Sequence, residues 1–180
     1  MLDAASMSDR ITTRPVAPTD IPVITALHAA VFGPGRFARS AYRVREAMPA
    51  DSPKFSRFCR AAFLGHRLIA AVRFSGIEIG GEGGALLLGP IVVDTDFSGQ
   101  GHGRRLIGEG LDEAKAAGVK LVILVGDEPY YGRFGFKPVP PGQIAFPAPV
   151  NPARILAAEL EEGALASYRG VVGAVQASEV

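Results

Sequence analysis

The chain has 180 residues, a formal charge of +1, 48% hydrophobic residues, three histidines and one cysteine. A length of this order supports one domain with its own core, and no apolar run is long enough to span a bilayer. A lone cysteine excludes an internal disulfide and three dispersed histidines give no metal-ligand spacing, so the expectations are a reducing cytoplasm and no metal.

Met1 to Arg10 is polar and small, without an apolar core of signal-peptide type. Arg10 to Val16 alternates like a strand. Thr19-Asp20 then opens a helix whose inward face falls at 24, 27, 28 and 31, and Gly33-Pro34-Gly35 ends it. Ala41 to Met48 reads as a second short helix closed by Pro49, with Pro53 reinforcing the break. Three β-rich runs follow, Phe58 to Leu64, Arg67 to Ile79 and Ala85 to Val93. Gly65-His66 and Gly80-Gly81-Glu82-Gly83-Gly84 join them, which predicts an antiparallel meander.

After Ser98 the chain turns through Gly99-Gln100-Gly101-His102-Gly103 into a helix running to Ala117. Its inward stripe is Leu106, Ile107, Leu111, Ala114 and Ala117, and Gly118 stands just past its end. Lys120 to Val125 is an apolar strand of the kind buried on both faces, so the helix is expected to cross over between Ala85–Val93 and Lys120–Val125 in a mixed sheet. Prolines at 138, 140, 141, 147, 149 and 152 exclude regular helix up to residue 152. Arg154 to Glu162 has the periodicity and alanine content of a helix, and Gly170 to Val175 reads as a last strand or ordered tail.

A strand feeding a glycine-rich turn that opens a helix aims successive N–H groups outward at the positive end of the helix dipole, which suits a diphosphate. Spacing separates the ligands that use such turns. A P-loop needs a Lys followed by Ser or Thr after its last glycine, and none follows here. A dinucleotide fingerprint begun at Gly99 or Gly101 would end on Arg104 or Leu106 rather than glycine. What remains is Gly101-x-Gly103 on the first turn of an amphipathic helix.

This arrangement resembles the coenzyme A site of the GNAT acyltransferases. Leu88-Gly89-Pro90-Ile91-Val92-Val93 is similar to the strand that precedes the loop in that superfamily, and Ser98 to Gly103 is similar to the loop. Gly126-Asp127-Glu128-Pro129-Tyr130-Tyr131-Gly132-Arg133-Phe134-Gly135-Phe136 resembles the Tyr-x-x-x-Gly-Phe ending, in the form of one bacterial branch of predicted N-acetyltransferases. The match is good over residues 86 to 139 and elsewhere rests on the order of elements. Ser98 stands where the family has Gln or Arg, His102 where it has an aliphatic residue, and Arg104-Arg105 where it has small or neutral ones.

The resemblance implies an α/β GNAT fold: a central mixed, mostly antiparallel twisted sheet flanked by helices, with a βαβ acyl-CoA site. It implies a single domain over 1–180, with a core from about 10 to 139 and a Pro-rich extension over 140–180. It places a strand, not a helix, after Arg154, leading into Gly163-Ala164-Leu165. The implied activity is transfer of an acetyl group from acetyl-CoA to a primary amine by direct attack. The pantetheine arm would run along Ile91-Val92-Val93, with a backbone N–H near Val93 on the thioester carbonyl. The phosphates would meet Ser98, Gly99, Gln100, Gly101, His102 and Gly103, with the diphosphate on the amides of Gln100 to Arg104; Arg104 and Arg105 would reach the 3′-phosphate, with a solvated Arg105 as the alternative.

Tyr131 holds the tyrosine position of the ending and is the candidate general acid, with core packing as the plain alternative; Tyr130 is assigned to packing. Asp127 reads as the N-cap of a short helix with Pro129 in its first turn, rather than as a base. His28 reads as a core histidine, His66 as a hairpin turn and Cys59 as a strand core residue.

Nine Lys or Arg lie between Arg36 and Arg73 against Glu46 and Asp51. In the resemblance this region borders the acceptor, so Arg36, Arg39, Arg43 and Arg45 point to an acidic amine acceptor or an acyl carrier protein, with a solvated face as the alternative. Nucleic acid is disfavoured by the near-zero net charge and the lack of an RNA-binding motif. The apolar C-terminal segment offers to cover a sheet edge in a homodimer. Two other functions stay open: the same fold with a longer acyl-CoA or a carrier-borne donor, and a CoA-binding sensor without turnover.

Overall fold

In the computed structural model, residues 10–33 and 56–175 are described. The helix expected over 41–48, and with it Arg36, Arg39, Arg43 and Arg45, lies outside them. In chain order the elements are β1 (Ile11–Pro15), α1 (Ile21–Phe32), β2 (Arg60–Leu64), β3 (Arg67–Ile79), β4 (Glu82–Val93), α2 (His102–Ala116), β5 (Leu121–Val125), α3 (Glu128–Tyr131), β6 (Lys137–Pro138), β7 (Ile144–Ala145), β8 (Ile155–Glu159) and β9 (Gly170–Ala174). The main sheet runs β1-β2-β3-β4-β5-β8-β6, and β9 pairs with β3 and β7. β4 and β5 are parallel, joined by α2, in an otherwise mostly antiparallel sheet.

The meander is as expected, with one boundary moved. β4 begins at Glu82, not Ala85, because Gly80 and Gly81 alone make the turn, at φ 58° and 87°. Two successive left-handed residues form the hairpin turn whose twist matches the strands, so Ile79 and Glu82 stand opposite each other and the ladder starts at once.

β5 sorts its side chains by parity, as a strand covered on both faces must. Val122 and Leu124 enter the core under α2 with Phe74, Leu106 and Ile107, whereas Leu121 and Ile123 enter a second core built with Ile144, Phe146, Ile155 and Tyr168. α2 buries Leu106, Ile107, Leu111 and Ala114; the expected fifth member, Ala117, is the exposed C-cap. On the other face, Ile24 of α1 meets Ala61, Leu68, Ala71 and Val92.

Residues after 139 build part of the sheet. β8 pairs along the whole of β5, from Leu121↔Glu159 to Val125↔Ile155, so the strand reading of that segment holds and the helical one does not. Gln143 ties the C-terminal layer together, its Nε2 donating to the carbonyls of Leu165 and Tyr168 at 2.9 Å each. The C-terminal strand finds its edge within the chain: Val172, Gly173 and Ala174 pair with Ile79, Glu78 and Ile77.

The outer edge of β3 is therefore shared, with β2 on Arg67–Val72 and β9 on Ile77–Ile79. Between them, Phe74 finds side chains instead of a strand. Its N–H donates to Cys59 Sγ at 3.3 Å, and its carbonyl accepts from Ser56 Oγ at 2.5 Å and Cys59 Sγ at 3.3 Å. Cys59 is buried just before β2 rather than within it, and burial pushes its thiol up.

Within the described residues, part of the basic stretch is neutralised across the fold. Arg60 Nη1 lies 3.0 Å from Glu113 Oε1 on α2, and Arg67 Nη2 lies 2.9 Å from both Asp94 Oδ2 and Asp96 Oδ2.

Two features of β4 position the site. Parallel pairing with β5 covers only Ala85–Leu87 against Leu121–Ile123; farther on β4 stays with β3 and β5 stays with β8, so the two strands part. The β3–β4 register is broken between Val72 and Phe74, opposite Gly89 and Pro90, and proline brings no N–H to any ladder.

Candidate active site

Where β4 ends and α2 begins, a groove of about 380 Å³ opens. Ile91 and Val93 line it from β4, the turn from Phe97 to Gly99 and the first turn of α2 border it, and Tyr130 and Arg133 complete it. α2 starts on Gly101, left-handed at φ 88°, and no side chain caps it. Its first helical bond runs from the Arg105 N–H to the Gly101 carbonyl, so the N–H groups of His102, Gly103 and Arg104 have no partner within the helix. The start of α2 packs on the end of β4: a Cβ at Gly103 would be in ordinary contact with Val93 Cγ2 at 3.4 Å and Ile91 Cγ2 at 3.6 Å.

The turn before the helix is held by charge. The Asp94 carboxylate accepts from the Asp96 N–H at 3.0 Å, and Arg67, besides pairing with both acids, lies over the Phe97 ring at 5.0 Å. The Asp96 N–H and then Arg67 hold the Asp94 carboxyl below its usual range, and the two acids raise the Arg67 guanidinium in turn. Both acids of this turn are thus engaged. His102 sits edge-on to Phe97 at 6.2 Å; burial, and then the charge of Arg105, lower its imidazole below the ordinary value, which leaves it neutral at pH 7.

Ladder geometry aims the backbone of β4. The Asp94 N–H donates to the Ile69 carbonyl at 2.8 Å, and Val92 stands opposite Ala71. Bonded and non-bonded pairs alternate in an antiparallel ladder, so the N–H groups of Ile91 and Val93 point away from β3, to the side β5 has left.

Eight of the expected residues line the groove: Ile91, Val93, Ser98, Gly99 and the four from Gly101 to Arg104. Val92 does not, because strand alternation turns its side chain to the opposite face, fully buried with Ile24 of α1. Gln100 is exposed, with Oε1 3.2 Å from His102 Nε2. Arg105 lies along the helix, its Nε 3.6 Å from Glu109 Oε1.

The two tyrosines divide, since neighbours on a helix point about 100° apart. Tyr131 is half-buried, packed against Gly126 at the end of β5 and 6.1 Å from the Phe136 ring. Tyr130, expected to be a packing residue, borders the groove with its hydroxyl 3.9 Å from where a Gly103 Cβ would stand. Arg133 was not anticipated, and its guanidinium lies 5.2 Å over the Tyr130 ring. Its position three residues after Tyr130 is the signal that places both on one side of the turn.

Asp127 is the N-cap residue of α3, with Pro129 in its first turn as expected, but not through its side chain. Its carboxylate makes no capping hydrogen bond and lies 3.4 Å from Arg154 Nε, while the Asp127 carbonyl accepts from the N–H groups of Tyr130 and Tyr131. His28 is buried beside the Phe32 ring, and His66 lies in the β2–β3 turn. Among the described residues, no group of three or more His, Cys, Asp or Glu is placed to hold a metal, and no helix is long and apolar enough to cross a membrane.

The sequence profile of the Acetyltransferase (GNAT) family matches residues 24–136. The chain belongs to the GNAT family. Uncharacterized N-acetyltransferase YhbS of Escherichia coli K12 is 38% identical over 72 residues, 39% of this GNAT chain and 43% of its own length. Uncharacterized N-acetyltransferase YjhQ of the same strain is 36% identical over 63 residues, 35% and 34% of the two lengths. Each alignment therefore spans less than half of the relative. The crystal structure of Escherichia coli YhbS in complex with CoA matches with TM-score 0.76 at 28% identity, covering 92% of this chain and 90% of that one. A GNAT family acetyltransferase from Brucella melitensis in complex with acetyl-CoA matches with TM-score 0.57 at 28% identity, over 86% and 97%.

Proposed function

We propose that this chain transfers an acetyl group from acetyl-CoA to the nitrogen of a primary amine by direct attack, in a reducing cytoplasm. The observation that carries the reading is the parting of β4 and β5, which turns the N–H groups of Ile91 and Val93 into an opening that leads to the uncapped start of α2. Two solved relatives bound to CoA and acetyl-CoA support the same donor.

The amine lone pair forms the C–N bond, and the thioester oxygen gains the charge. A fixed backbone N–H at Val93 stabilises that oxyanion without reorganising. As the C–S bond breaks, its electron pair leaves on sulfur and the Tyr131 hydroxyl supplies the proton; phenols titrate near pH 10 in general and so carry that proton at neutral pH. The proton lost by nitrogen passes to water. The diphosphate lies on the N–H groups of His102 to Arg104, where the helix dipole favours it.

Thiol release from acetyl-CoA, measured over a panel of small-molecule and peptide amines, tests the reaction. Tyr131→Phe should lower kcat about 100-fold or more while leaving CoA affinity unchanged. Unchanged turnover would remove Tyr131 from the mechanism. Saturating CoA should raise the melting temperature by about 5 to 10 °C, and no rise would refute the donor.

A further inference from the structure

The groove carries two cations that the GNAT signature residues do not account for. Arg104 comes from the first turn of α2 and Arg133 from the turn after α3, and both border the groove. Arg14, Arg60, Arg67, Arg105 and Arg154 each have a carboxylate within 4.0 Å. Among the described residues Arg104 and Arg133 have none, and the acids of the adjoining turn, Asp94 and Asp96, are already paired with Arg67. Two unneutralised guanidinium groups beside a helix start of about half a positive charge call for more negative charge than a diphosphate brings.

A diphosphate is met by the N–H groups of α2 and by Arg104. Arg133 then faces the groove with nothing to bind. Its guanidinium is held over the Tyr130 ring, a partly exposed surface, which leaves the planar edge of the fork available for two parallel bonds to one phosphate.

We propose that Arg133, held by Tyr130, is the specificity-determining residue for the 3′-phosphate of the donor. The site then selects free CoA thioesters over thioesters on a carrier protein, whose phosphopantetheine arm has one phosphodiester charge and no 3′-phosphate. The inference rests on the acetyl-CoA reading above.

Calorimetric titration of the wild type, Arg133→Gln and Arg169→Gln with CoA, dephospho-CoA and 4′-phosphopantetheine tests it. Arg169 is an exposed cation outside the groove and controls for bulk charge. The wild type and Arg169→Gln should bind CoA at least about tenfold tighter than dephospho-CoA, and Arg133→Gln should reduce that ratio to within about twofold. 4′-Phosphopantetheine should bind weakest throughout. Tyr130→Leu should reduce the ratio in part and Tyr130→Phe should keep it. A ratio near one in the wild type, or one that survives Arg133→Gln, overturns the inference. So does equal weakening of CoA and dephospho-CoA by Arg133→Gln, which would assign the guanidinium to the diphosphate. Failure of the wild type to bind CoA at all would refute the donor reading first.

Discussion

Gly126 has no side chain because Tyr131 occupies the place of one. A Cβ at 126 would come within 2.6 Å of Tyr131 Cε2 and 3.0 Å of Leu124 Cδ1, both parts of packed groups that cannot easily move. Gly126→Ala should therefore displace the phenol, lowering kcat about tenfold with CoA affinity intact. The double variant Gly126→Ala/Tyr131→Phe should be no slower than Tyr131→Phe alone, because a displaced ring without its hydroxyl has nothing more to lose; additive losses would mean that Gly126 acts elsewhere. His102 is a separate reporter. NMR titration should find its imidazole below the ordinary value, and bound CoA should move it upward, since phosphate charge favours imidazolium.

A strand edge left between two partners needs another source of hydrogen bonds, and on β3 Ser56 and Cys59 supply it. Cys59→Ala should cost about 1 to 3 kcal/mol by leaving the Phe74 N–H buried without a partner, read as a lowered urea midpoint. The native thiol should also resist Ellman's reagent and react only after unfolding, because burial disfavours the thiolate. The larger elements were legible for two reasons: β3 and β4 are β-rich runs of 12 residues or more bounded by glycine turns, and α2 buries a stripe of helical period. β8 was not legible from its residues, because Ile-Leu-Ala-Ala is buried on both faces and such a run lacks the alternation that separates strand from helix. The two-residue strands β6 and β7 are too short for any period. In the candidate site, the glycine-rich turn that borders the groove was readable from the motif. Tyr130 and Arg133 were not, because the direction in which a four-residue helix faces is set by what it packs against.

Across the whole molecule, acid should remove one particular support, the Asp20 carboxylate. Asp20 is buried, with its oxygens 2.6 and 2.8 Å from the Arg14 guanidinium and 2.7 Å from the Ala17 N–H; the Arg14 bonds are the main reason its carboxyl lies below the usual range. A folded value below the unfolded one of about 3.9 means that this support is whole above that pH and is lost as pH falls through the folded value. Asp20→Asn should thus cost about 1 to 2 kcal/mol in urea unfolding at pH 7, and the gap from wild type should close as pH falls through the folded value. A gap independent of pH would show that size, not charge, matters at this position. The pairing of β9 with Ile77–Ile79 carries a consequence for biosynthesis. On the ribosome, about 90 residues must still be added after β3 emerges before its partner exists, an interval of about 5 to 20 s at ordinary elongation rates. Throughout that interval the nascent chain exposes a bare apolar strand edge, so this stretch is where a holding chaperone would engage, and where slow translation would favour aggregation.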